Sequence, residues 1–204
     1  LKFTNHNPTK VDFFPYVNAT QDRVKDEVDT KTGMEVFWKI DAGKQLNIAI
    51  NPDFGQVESD ELVVNFSSSE TFYSDKRPFF SENHSLFDVK SDEIFYIINT
   101  RRIGAAPDYD CSRYGTELAE ACAAASTGIS DIDVALRYTQ QGESIDFGFL
   151  SALESDADFS EGRQFYALRS VKNGENYSVG YLGTLADRPF IDRTATVHSI
   201  DWLY

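Results

Sequence analysis

The sequence predicts an all-β fold of mainly antiparallel hairpins, barrel-like or sandwich-like, with one short helix near 116–125. Three observations predict it. Apolar residues recur at every second position along most of the chain, the period of half-buried strands. Turn-forming residues separate these runs at short intervals. Only one segment shifts to an alanine-rich composition that favours a helix.

Taken in order, Val36, Trp38 and Ile40 alternate with Phe37, Lys39 and Asp41, and after Ala42-Gly43-Lys44 the residues Leu46, Ile48 and Ile50 alternate with Gln45, Asn47 and Ala49. Two such runs about a tight glycine turn make a hairpin. Leu62, Val64 and Phe66 continue the alternation, and Ile94 to Ile98 read as a strand buried on both faces. Thr116 to Ala125 is rich in strong helix formers, with Thr116 as N-cap and a stop near Gly128, giving a helix of about three turns. Ile132, Val134, Leu136 and Tyr138 then alternate with Asp131, Asp133, Ala135 and Arg137, and Gln141-Gly142 turns the chain toward Ile145, Phe147 and Phe149. Tyr166 and Leu168 lead to Asn173-Gly174, a pair suited to a type I′ turn, before Tyr177, Val179 and Tyr181. Ile200, Trp202 and Tyr204 close the chain as a strand cut near its end. The stretch 67–90 is irregular, yet Phe72, Tyr73, Phe79, Phe80, Leu86 and Phe87 make it too aromatic for a solvated loop, so it should pack back onto the sheet. The 204 residues read as a single β-rich domain.

Composition narrows the function. Against 33 acidic residues stand 19 basic ones, a net charge of −14. A surface this acidic is repelled by phosphate backbones, so nucleic acid is excluded as a partner. No run approaches the roughly 20 apolar residues of a membrane-spanning helix. The chain opens at Leu1 without a signal segment, which reads as a mature or excised fragment of a larger protein. Cys111 and Cys122 enclose ten residues; a local disulfide, favouring an oxidising compartment, and two free thiols on a short helix both stand open.

Alternating hairpins admit two environments. In a soluble sandwich or partial barrel the apolar face is the protein's own core. In an outer-membrane barrel that face meets lipid, the lumen is polar, and girdle aromatics such as Tyr138, Tyr181, Trp202 and Tyr204 mark the interfaces. Periodicity alone does not separate the two, and the soluble reading is the more frequent.

Three compact stretches are chemically specific. The first, Asn51-Pro52-Asp53-Phe54-Gly55-Gln56-Val57-Glu58, reads as a shaped turn, with Pro52 fixing φ, Gly55 permitting a reversal, and Asp53 and Glu58 available as caps. Asp53, Glu58, Asp60 and Glu61 also supply hard oxygen ligands for calcium, although their spacing is not that of an EF-hand loop. The second runs from Glu70 through Asp75, Lys76, Arg77, Pro78, Phe79 and Phe80 to Glu82 and Asn83, mixing cations, acids and aromatics. Buried charges of this kind need partners, so a salt-bridge network pinning the excursion is favoured over a ligand site. The third is Arg101-Arg102-Ile103-Gly104, whose arginines are also read as paired with carboxylates.

In this order and at these spacings, together with Asp12-Phe13-Phe14-Pro15-Tyr16 and Gly33-Met34-Glu35-Val36-Phe37-Trp38-Lys39, the three stretches resemble an uncharacterised domain family of bacterial exported proteins. The resemblance covers about the first half of the chain. It implies an outer-membrane-barrel-like domain that typically follows a family-9-type carbohydrate-binding module, located in the outer membrane or periplasm of a Gram-negative bacterium. Ser74-Asp75 departs from the pair Pro-Glu common at that place in the family, and Ser81 from an aliphatic residue.

Catalytic signatures are absent: the sequence holds no HExxH, GxSxG, Walker loop or GxGxxG. His6, His84 and His198 are scattered, and no pair of acids can be singled out as a glycosidase couple. No cofactor is expected beyond the calcium alternative. The resulting expectation is a non-enzymatic, outer-membrane-associated scaffold or translocation element linked to carbohydrate capture through a neighbouring module. A secreted glycan-acting hydrolase and a soluble interaction module are the alternatives.

Overall fold

The structure is a computed structural model and describes residues 9–22, 27–53, 75–89, 97–126 and 128–204. Eight strands form one antiparallel sheet: β1 (Lys10–Asp22), β2 (Glu27–Lys39), β3 (Lys44–Ile50), β4 (Ile132–Gln140), β5 (Ile145–Glu154), β6 (Gln164–Asn173), β7 (Ser178–Arg188) and β8 (Arg193–Leu203). They lie in chain order, each paired only with its sequence neighbours, so the sheet is an unbroken meander. Short connections enforce this order, since a few residues let a strand only double back beside its predecessor. The long connection is the one from β3 to β4, yet its two strands still pair, from Lys44 opposite Gln140 to Ile50 opposite Val134.

The alternation assigns two faces. Outward positions include Phe13, Val17, Val36, Trp38, Leu46, Ile48, Leu136, Tyr138, Phe147, Phe149, Leu168, Tyr181 and Ile200. Inward positions hold Asn47, Ala49, Ala135, Arg137, Leu150, Ala152, Ala167, Arg169 and Leu182. The segment between β3 and β4 covers much of this inner face. Among its described residues it contains helix α1 (Pro78–Ser81), three one-turn 3-10 helices and helix α2 (Thr116–Ala125). Phe79, Phe80, Leu86, Phe87 and Ile103 of this insert form one buried cluster with the small and aliphatic residues of the inner face. Each aromatic ring so placed contributes on the order of 2–3 kcal/mol of burial. At Gly148 in β5 a side chain is excluded by the insert itself, since a Cβ there would sit 2.8 Å from Cζ of Phe87.

Several expectations change. The mainly antiparallel β character and the helix are present, and the sheet is not a closed barrel: among the described residues β1 and β8 do not pair and no second sheet covers the outer face. The reason is steric. Eight strands wrap a space just wide enough for side chains, whereas this sheet carries a folded insert on its inner face. Helix α2 is capped at Gly115, and Thr116 is its first residue with no side-chain cap. Asn173-Gly174 stays out of the left-handed region, so the β6–β7 hairpin has no type I′ turn there; the chain reverses one step later, with Gly174 N bonded to Tyr177 O at 2.8 Å. Ile97 and Ile98 lie outside any strand and pack against the core. The alternation at Leu62, Val64 and Phe66, and positions 94–96, lie outside the described residues. The longest strand pair, β1 with the whole of β2 from Lys10 opposite Lys39 to Asp22 opposite Glu27, extends well beyond what the alternation at Val36 predicts.

Candidate functional site

The inner face mixes small and aliphatic residues with buried polar ones, Asn47, Arg137, Thr139 and Arg169 among them. From β4, Arg137, only 2% exposed, reaches the insert: its Nη1 donates to the backbone carbonyl of Glu82 and its Nη2 to the Glu82 carboxylate at 3.2 Å. The same carboxylate accepts from Gln45 at 2.8 Å and Asn47 at 3.0 Å on β3. From β6, Arg169 donates through Nε to the carbonyl of Leu86 at 3.3 Å and forks onto Asp201 of β8, with Nη2 to Oδ2 at 2.8 Å. Gly180 of β7 leaves the room for that fork, because a Cβ there would lie 2.6 Å from both terminal guanidinium nitrogens. Arg188 at the end of β7 holds Asp108 of the insert through Nε at 2.8 Å.

Between β5 and β6, Arg163 forks onto Glu154, with Nε to Oε2 at 2.6 Å and Nη2 to Oε1 at 2.9 Å. It also donates to the carbonyls of Ala105 at 2.9 Å and Ala106 at 3.1 Å, while Glu154 accepts from the backbone N–H of Gly104 at 2.7 Å. Bidentate pairs of this kind fix orientation as well as charge. Together Arg137, Arg163, Arg169 and Arg188 tie the insert to four places on the sheet.

Inside the insert, Arg77 forks onto Asp75, with Nε to Oδ1 at 2.9 Å and Nη2 to Oδ2 at 2.6 Å. The guanidinium also donates to the carbonyls of Thr100 and Ile103, both at 2.8 Å, and lies 4.2 Å from the Phe80 ring centroid. Burial pushes the Asp75 carboxyl up, but the Arg77 hydrogen bonds and charge outweigh it and hold Asp75 below the usual carboxylate range. The Arg188 hydrogen bond similarly holds Asp108 low. The buried Cys122 of α2 is bonded to Cys111, which tethers the helix to the 3-10 turn Cys111–Arg113.

The residues of the three sequence stretches do not converge on one point. Asn51 adopts a positive φ of 46° just after β3, its N–H bonded to Asp133 O at 2.7 Å and its carbonyl accepting from the Tyr16 hydroxyl. Pro52 is buried beside it, and Asp53 accepts from Asn18 of β1 at 2.8 Å. Gly55, Glu58, Asp60, Glu61 and Glu70 lie outside the described residues, so of the calcium candidates only Asp53 is described. Among the described residues no cluster of three or more His, Cys, Asp or Glu side chains is arranged to hold a metal. Lys76 is exposed next to Arg77, and Pro78, Phe79 and Phe80 form α1, whose two aromatics enter the core. Arg101 and Arg102 belong to the 3-10 turn Thr100–Arg102, and Gly104 follows with φ of 77°. Thus the second and third stretches meet through Arg77, Thr100 and Ile103, while the first stands apart at the β3 exit.

Sequence reasoning missed the sheet arginines that seat the insert. A faint signal existed at Arg137, which occupies the polar phase of a strand whose other phase is apolar, whereas Arg169 stands in a phase otherwise held by Phe165, Ala167 and Val171 and gave none. Their partners are far away in sequence, which periodicity does not reveal.

Compared with known families, residues 7–134 match the domain of unknown function DUF5916. No curated protein and no solved structure matches the chain.

Proposed function

For a chain that belongs to the family of the domain of unknown function DUF5916, we propose a role as part of the wall of an outer-membrane β-barrel, with the insert seated on the lumen side. The observation that carries this reading is the outer face. Along β1 to β8 the outward positions hold no Asp, Glu, Lys or Arg except at or within one residue of a strand end, as at Lys44, Lys172 and Asp187. Among the described residues nothing packs over this face: Ile200 is 69% and Trp202 77% exposed. An apolar surface of this extent is unfavourable in water and favourable against lipid. Trp38, Tyr138, Phe147, Tyr181 and Trp202 all stand near the same end of the sheet, the one bearing the β2–β3, β4–β5 and β6–β7 turns, as an interfacial aromatic belt would. Strands β4 to β8 are 9 to 11 residues long, the length that spans a bilayer at a tilt. The disulfide supports an exported protein.

The role is that of a non-enzymatic scaffold or translocation element that carries a neighbouring carbohydrate-capturing module at the cell surface. A hydrolase would need two free carboxylates across a pocket, and the acids Asp75, Glu82, Glu154 and Asp201 are unsuited to that role because each is held by an arginine. A soluble module would need its apolar faces closed on one another. Fractionation of cells producing the full chain tests the proposal: it should remain in the outer-membrane fraction after washing with alkaline carbonate. Release into the wash or recovery with soluble protein would overturn it.

A further inference from the structure

Among the described residues, only Pro78, Ser81 and Glu82 of the insert reach the inner face of β1 and β2 at an open cleft of about 680 Å³, where they form its far wall. That volume is in the range of small-ligand sites. Strand register sets out the cleft floor in rows: Lys10 opposite Lys39, Asp12 opposite Phe37, and Phe14 opposite Glu35. The rings of Phe14 and Phe37 meet edge to face at 5.8 Å.

Two features of this floor cost stability as they stand. Lys10 and Lys39 are like charges directly opposite one another, a destabilising cross-strand pair. Asp12 relieves only Lys10, at 2.7 Å, and among the described residues no carboxylate pairs with Lys39. At the other end, Glu35 is half-buried between β1 and β3, and no cation or hydrogen-bond donor among the described residues engages it. A half-buried carboxylate without a partner is unfavourable. An anionic group placed between the two lysines and a cationic group placed on Glu35 would remove both costs. The two ends lie four residues apart on one strand face, about 13 Å at the rise of a β-strand. Between them the floor holds Phe37, with Asp12 opposite it on β1.

We propose that this cleft binds a short extended peptide with free termini, about three or four residues long. Its carboxylate sits between Lys10 and Lys39, its ammonium on Glu35 beside the Phe14 ring, and an apolar side chain lies against Phe37. Extended chains advance roughly 3.3–3.6 Å per residue, so this length spans the two charges. The Phe14 ring adds cation–π attraction to the ammonium. Glu82, already held by Gln45, Asn47 and Arg137, forms the wall and takes no terminus. The inference goes beyond the membrane-wall reading and does not depend on lipid.

Calorimetric titration of the full chain with Ala-Phe-Ala, its N-acetylated form and its C-amidated form tests it. The free peptide should bind, and each capped form about tenfold more weakly, the loss of one charge-assisted hydrogen bond. Glu35→Gln should erase the preference for a free amine and keep that for a free carboxylate; Lys39→Gln should do the reverse. The preference each variant keeps shows that its cleft is still folded. Absence of binding by the free peptide, equal binding of all three forms, or variants that keep both preferences would overturn the proposal.

Discussion

Arg163 and Glu154 face each other as a buried fork, Nε to Oε2 at 2.6 Å and Nη2 to Oε1 at 2.9 Å, and between them they hold the backbone at Gly104, Ala105 and Ala106. The pair therefore links the insert to the β5–β6 end of the sheet. Arg163→Ala would leave Glu154 buried without its partner and should cost about 3–5 kcal/mol. Urea unfolding of the full chain checks this. Arg163→Lys should restore only part of the loss, because an ammonium cannot reproduce the fork.

Acid should loosen the insert. Asp75 and Asp108 both have their folded-state carboxyls held below the ordinary range by Arg77 and Arg188. A depressed pKa contributes stability that is present above about pH 4 and lost as the pH falls through the folded value. Asp75→Asn should therefore lower stability at pH 7 and reduce the further loss between pH 4 and pH 2. Unfolding midpoints measured across that range give the slope directly.

The Cys111–Cys122 bond ties α2 to the turn before it, across a sequence separation of 11. Its stabilisation should be local and at most about 3 kcal/mol, as expected for so short a loop. Hydrogen exchange after Cys111→Ser with Cys122→Ser should speed up at the amides of Thr116–Ala125 and stay unchanged in β5 and β6.

Leu168 sits mid-strand on the outer face of β6, at 39% exposure. Leu168→Arg should reduce the stability of the membrane-inserted form by about 2–4 kcal/mol if that face meets the bilayer centre. Folding into vesicles titrated with urea measures the loss. The same substitution in water would be nearly neutral at a position so exposed.

Much of the sheet was legible because its alternation survives in the sequence: β3 to β7 stand where Leu46, Leu136, Phe147, Leu168 and Tyr181 keep the period of two. Burial explains why the period persists there, since one face packs under the insert and the other is largely apolar away from the strand ends. β1 was not legible. Asp12, Phe14, Tyr16 and Asn18 alternate with Val11, Phe13, Pro15 and Val17, so aromatic residues fall in both phases and blur the pattern. The packing of the aromatic stretch could be read from Phe79, Phe80, Leu86 and Phe87, but not its full extent, because the connection runs on to Ile132. The site was less legible than the fold. Arg77 with Asp75 is a local pair two residues apart, visible in sequence, whereas Arg137 with Glu82 spans 55 positions and Arg188 with Asp108 spans 80. Only the fold brings those together. The openness of the sheet was equally hidden, because it depends on the width of an insert whose seating those long-range arginine contacts determine.

On the proposed reading the apolar outer face meets lipid, and the two tryptophans of the chain report on it, since both Trp38 and Trp202 lie on that face near the turn-bearing end. Tryptophan fluorescence of the full chain reconstituted into vesicles of phospholipids brominated along the acyl chain measures the contact. The account predicts strong quenching, greater for bromine near the headgroup than for bromine near the bilayer centre. Emission unchanged by any brominated lipid, with the protein bound to the vesicles, would contradict it.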